Sequence, residues 1–95
     1  LETMKLIKVN GNTVATAVKT KSGIFNVQLG INEYSDESLE RFIRYLQVYG
    51  AVEVVSDGLE DAPDEHKMQD NLNKAAFEWG KESIRRCREK HGQAA

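Results

Sequence analysis

The chain has one cysteine, Cys87, and one proline, Pro63. A single cysteine excludes an internal disulfide and leaves stability to the apolar core, which suits a reducing, cytoplasmic setting. With only two histidines beside it, the chain also lacks the ligands of a standard zinc site. No apolar run approaches the ~20 residues that span a bilayer, so no membrane partner is expected. The opening LETMKLIKV lacks the apolar centre of a secretory signal. Met4 suits a natural start, which would make Leu1–Thr3 an addition. The patterns GxGxxG, GxxxxGK[ST], GxSxG and HExxH are missing, which removes the commonest phosphate, acyl-transfer and zinc-hydrolase signatures. No catalytic residue, metal site or cofactor is expected from what is left.

What is there fits one domain. The chain has 95 residues, a length that suits a single domain and leaves little room for a second. Apolar residues make up 40% and charged residues 29%, which is neither a disordered nor a membrane composition. The formal charge of −2 hides a segregation. Residues 1–34 carry four lysines and two acids, residues 35–66 nine acids and two arginines, and residues 67–95 seven bases and four acids. The ends are mildly basic and the middle strongly acidic. The total offers no general attraction to nucleic acid or anionic lipid.

The periodicity predicts an α+β domain of order β-β-β-α-β-α, with residues 4–55 as its β-β-β-α-β core. MKLIKV (4–9) and TVATAVKT (13–20) flank Asn10-Gly11, a pair suited to a type I′ hairpin turn. IFNVQLGI (24–31) follows Lys21-Ser22-Gly23 and alternates, with Phe25, Val27, Leu29 and Ile31 on one face. This reads as an antiparallel three-stranded meander with one buried face. From Ser35 the period becomes helical. Ser35 is the expected N-cap, Asp36 and Glu37 sit in the first turn, and Leu39, Phe42, Ile43 and Leu46 form the stripe. Tyr49 adds a turn and Gly50 closes the helix. AVEVV (51–55) is a short fourth strand. A right-handed crossover places it parallel, beside the first strand, with an antiparallel placement open. Residues 56–66 form an acidic loop, and residues 67–91 a long amphipathic helix with Met68, Leu72, Ala75, Ala76, Trp79 and Cys87 on its stripe. Gly80 weakens that helix by about 1 kcal/mol against alanine.

Each candidate site has a plain structural alternative. Asp57, Glu60, Asp61, Asp64, Glu65 and His66 supply oxygen and nitrogen ligands but not the spacing of a calcium loop, so a solvated linker is expected. Cys87 lies four residues before His91. Near a helix C-terminus, and without a third group, it reads as a small core residue. Lys5, Lys8, Lys19 and Lys21, with Asn10, Asn12, Asn26 and Gln28, give the sheet a polar side, but no strand aromatic remains on it to stack a base. Arg85, Arg86 and Arg88 end the last helix, where cations complement the dipole; Glu82 precedes Arg86 by four residues and pairs part of that charge.

Two functions compete. Phe77 and Trp79 lie two residues apart on one helix, so they cannot share one narrow core stripe, and exposed aromatics are frequent interface anchors. The leading expectation is a small non-catalytic binding or regulatory protein. It acts through a protein–protein surface of Phe77, Trp79, Arg85, Arg86 and Arg88, with a protein partner or a second copy as a homodimer. The alternative is a nucleic-acid-binding protein that uses Lys5, Lys8, Lys19 and Lys21 together with Arg85 and Arg86.

Overall fold

Asn10 and Gly11 have φ of 52° and 87°, the pair of positive values that a type I′ turn demands. They join β1 (Met4–Val9) to β2 (Asn12–Lys19) in the computed structural model, which describes residues 4–20, 23–56 and 62–92, with side chains as far as Glu89. β3 (Phe25–Leu29) returns antiparallel to β2. A second two-residue turn follows at Gly30-Ile31. Gly30 has φ of +59°, the first central position of a type II′ turn, and the chain enters β4 (Asn32–Glu37). Then come α1 (Leu39–Leu46), β5 (Val52–Ser56) and α2 (Glu65–Gly92). The sheet order is β4-β3-β2-β1-β5, and every pairing is antiparallel.

The α+β class and the hairpin meander are as the sequence predicts, but the sheet has five strands. The additional one, β4, covers residues expected to start the first helix. Ser35 is exposed in this strand and caps nothing; α1 starts after Ser38. Asp36, at φ 57°, marks a bulge opposite Asn26, whose Oδ1 accepts the Asp36 N–H at 3.4 Å. Ile31, expected in the core, lies in the turn and is 54% exposed. The added strand also settles the direction of the last one. Because β4 reverses the chain once more, α1 carries it back toward the Asn10-Gly11 turn. β5 therefore enters antiparallel beside β1.

Ile7, Val9, Ala15, Ala17, Val27 and Leu29 form the buried core with Leu46 of α1. Leu39, Phe42, Tyr49 and Phe25 are half-buried against it. Each large side chain buried here stabilises by roughly 1.5–3 kcal/mol before entropy. Ile43, expected on the same stripe, is half-buried outside this cluster. Gly50 does not close α1, which ends at Leu46. It makes room instead: a Cβ there would overlap the Asn10 side chain. Asn10 holds Ala51 at both ends. Its N–H donates to the Ala51 carbonyl at 2.9 Å, and its Oδ1 accepts the Ala51 N–H at 3.1 Å.

Asp64 caps α2. Its Oδ1 accepts the Lys67 N–H at 2.8 Å and its carbonyl accepts the Met68 N–H at 3.0 Å, so the helix begins at Glu65, two residues before the expected start. Two side chains fasten α2 to the turn end of the sheet. Gln69 Oε1 accepts the Ile31 N–H at 3.1 Å, and Asn71 Nδ2 donates to the Thr13 carbonyl at 2.8 Å. A Cβ on Gly30 would overlap the Gln69 side chain. No described helix is long and apolar enough to cross a membrane.

Candidate functional site

α2 is anchored along one side and then leaves the domain. Met68 and Ala75 are buried, and Leu72 and Ala76 are half-buried. At about 100° per residue, Trp79 is next on that side. It sets its ring against Tyr49, edge to face, with centroids 5.9 Å apart. Past Trp79 no described residue of α2 is buried. A helix rises about 1.5 Å per residue, so the segment beyond Trp79 adds nearly four turns of length. The molecule accordingly measures 60 × 24 × 20 Å.

The large apolar side chains at the exit from the domain and beyond it are exposed. Phe77 is 65% exposed, Ile84 57% and Trp79 45%. Cys87, expected in the core, is also exposed. The stripe that carries it continues in sequence after the sheet has run out of surface to cover. The His91 side chain lies outside the described residues.

Charges on the segment are organised by Glu82. Its Oε1 lies 2.6 Å from Arg85 Nη2 and 3.4 Å from Arg86 Nε, and Arg85 Nε lies 3.9 Å from Glu89. The Glu82–Arg86 pair is the one that i,i+4 spacing predicts. Arg85, Arg86 and Glu89 are well exposed and Glu82 only partly covered, so each pair contributes a few tenths of a kcal/mol at most. Lys81 stands 5.5 Å from the centroid of the Phe77 ring, a cation–π placement. Arg88 is exposed with no ion pair among the described residues.

Where α2 leaves the domain, a groove of about 420 Å³ runs between it and the α1–β5 connection, with Val48, Tyr49, Trp79, Glu78 and Arg86 among its walls. Tyr49 is central to an aromatic line that sequence reasoning missed. Tyr45 packs edge to face on Tyr49 at 5.9 Å, and the two hydroxyls meet at 3.4 Å. That hydrogen bond, with partial burial second, raises the Tyr45 phenol above its ordinary pKa. The signal was available: Tyr45 and Tyr49 are four residues apart and so share one side of a helical stretch.

The sheet lysines do not gather. Lys5 pairs across from Ala17 and Lys19 from Phe25, which puts both on the face that carries the core; Lys8 is on the other. Lys5 Nζ donates to Ser56 Oγ at 3.2 Å. Lys21 lies outside the described residues. β4 adds a strand aromatic, Tyr34, which lies across from Val27 on the core-bearing face and packs against Phe42 with ring centroids 5.6 Å apart. The opposite face holds a shallow depression of about 290 Å³ lined by Thr16, Val18, Asn26 and Gln28. Of the acidic loop, Asp57, Glu60 and Asp61 lie outside the described residues. Asp64 caps α2, Glu65 opens it and His66 is exposed. Among the described residues no three His, Cys, Asp or Glu side chains come together as a metal site.

Compared with family models, curated proteins and solved structures, the chain matches none.

Proposed function

We propose that the chain is a small, non-catalytic binding or regulatory protein of the cytoplasm that works through a protein–protein surface on α2. One observation carries this reading. Where α2 leaves the domain and beyond, it stays helical and presents first Phe77 and then Ile84 to solvent. Large apolar side chains on an exposed, preformed element act as anchors, and a rigid helix binds with little ordering cost. Arg85, Arg86 and Arg88 form the polar rim, where charge adds steering and selectivity more than affinity.

The nucleic-acid alternative draws less support, because Lys5 and Lys19 stand on one sheet face and Lys8 on the other. Its mark would be an electrophoretic shift that weakens steeply with salt.

Photo-cross-linking in the native cell tests the main reading. A photoreactive residue at position 77 is expected to give discrete protein adducts, and the same residue at position 19 on the sheet to give none. Equal labelling at both positions, or none at 77, would remove the surface from α2.

A further inference from the structure

We propose that the partner of α2 is α2 of a second copy, paired in parallel through a seam of Phe77, Gly80, Ile84 and Cys87. The proposal rests on the reading above and names its partner. The four residues follow one another at spacings of three, four and three, the a/d rhythm of a heptad. At about 100° per residue the centre of the seam lies about 130° round α2 from the mean direction of Met68, Leu72, Ala75 and Trp79, with Cys87 at its edge nearest that side. Two domains can therefore sit on the outer flanks of a helix pair without competing for it.

Gly80 supports the close approach of another chain. Nothing lies within 4 Å of where its Cβ would be, so its own domain does not require a glycine there. It nonetheless weakens the helix. On the seam, its missing side chain lets a second helix come near between the Phe77 and Ile84 layers.

The charge pattern favours a copy of this chain, in the parallel sense. The ion-paired Glu82, Arg85, Arg86 and Glu89 fall on the outer positions of the heptad, clear of the seam. One flank of the seam carries Lys81 and Arg88, and the other Ala76 and Ser83. Parallel pairing sets each cation against the small neutral residue of the opposite flank. Antiparallel pairing would set Lys81 of each copy against Arg88 of the other, a like-charge contact.

The seam covers only about three helical turns. Two such segments bury less than the ~1,200 Å² at which specific interfaces become stable, so the pair is weak and concentration-dependent.

Sedimentation of the intact chain, together with diamide oxidation, tests the seam. The sedimentation coefficient is expected to rise toward a dimer across the micromolar range. Diamide is expected to link Cys87 to Cys87 of the second copy roughly tenfold faster than it links the variant Cys87→Ser/Glu89→Cys, whose thiol faces outward. Ile84→Asp is expected to abolish both the dimer and the fast cross-link while the far-ultraviolet spectrum and melting profile are kept, since Ile84 touches no core. A monomer at every concentration, equal linking at 87 and 89, or a dimer that survives Ile84→Asp would each overturn the proposal. Monomeric protein that still gives adducts at position 77 in cells would remove the self-partner and leave the binding surface standing. A monomer without adducts would remove both.

Discussion

The two halves of α2 share one backbone and differ in what holds them. From Glu65 to Trp79 the helix is tied down by Asp64, Gln69 and Asn71, by buried Met68 and Ala75, and by the Trp79–Tyr49 contact. From Gly80 onward it has the Glu82-centred ion pairs and its own hydrogen bonds. Tertiary packing, the usual source of helical stability, is confined to the first half. The second half is helical because propagation onto an existing helix is cheap once a nucleus is fixed elsewhere. A domain can in this way extend a rigid rod beyond its own core, and residues on that rod are free to face something else.

Mutations that separate the halves give the sharpest test. Met68→Ala is expected to destabilise by about 2–5 kcal/mol in urea unfolding, because it empties a site 3% exposed. In the same assay at dilute protein, Ile84→Ala is expected to stay within about 0.5 kcal/mol of the parent. Similar losses for the two would mean that the second half packs on the domain after all. Next in size, Asp64→Ala removes the cap and is expected to cost about 0.5–2 kcal/mol. Amide exchange should then quicken first in residues 65–68. Quickening confined to the far end of α2 would break the assignment of Asp64 as the anchor.

The smallest effect concerns the joint between the halves, where Tyr45 hydrogen-bonds Tyr49 and Tyr49 meets Trp79. The folded state holds the Tyr45 phenol neutral more firmly than the unfolded chain does. Its contribution is therefore complete below the ordinary phenol range and is lost as pH rises through about 10, where the unfolded chain gives up its proton first. Tyr45→Phe is expected to flatten that part of the alkaline stability profile. An unchanged profile would mean that the hydroxyl contact carries no linkage.

Much of the fold was legible in the sequence, and the misses share a cause. Asn10-Gly11 announced the first hairpin because both residues tolerate positive φ. The alternation of Val27 and Leu29 announced the buried face. β4 was illegible because an edge strand has one neighbour and needs no apolar alternation; Asn32, Glu33, Ser35 and Asp36 read as a loop and a helix cap. That single omission also turned the expected direction of β5. At the candidate site, the spacing of Phe77 and Trp79 showed that they diverge. The misplacement of Cys87 came from following a helical stripe past the end of the sheet it covers, since periodicity carries no information about how far the opposing surface extends.

Asn10 also bears on the order in which the sheet is assembled. It belongs to a turn between adjacent residues and at the same time clamps Ala51, 41 positions away. Closing the longer loop costs more chain entropy, so β1 through β4 are expected to zip as neighbours before β5 arrives. Until then β1 is an open strand edge, on a ribosome as in a test tube, and unpaired edges invite other chains. Lys5 and Lys8 sit on that strand, and charged lysines on an exposed edge deter such pairing. Pulse-labelled amide exchange during refolding reads the sequence of events directly: β1–β2 amides protected first, those of β5 last, with simultaneous protection ruling the order out.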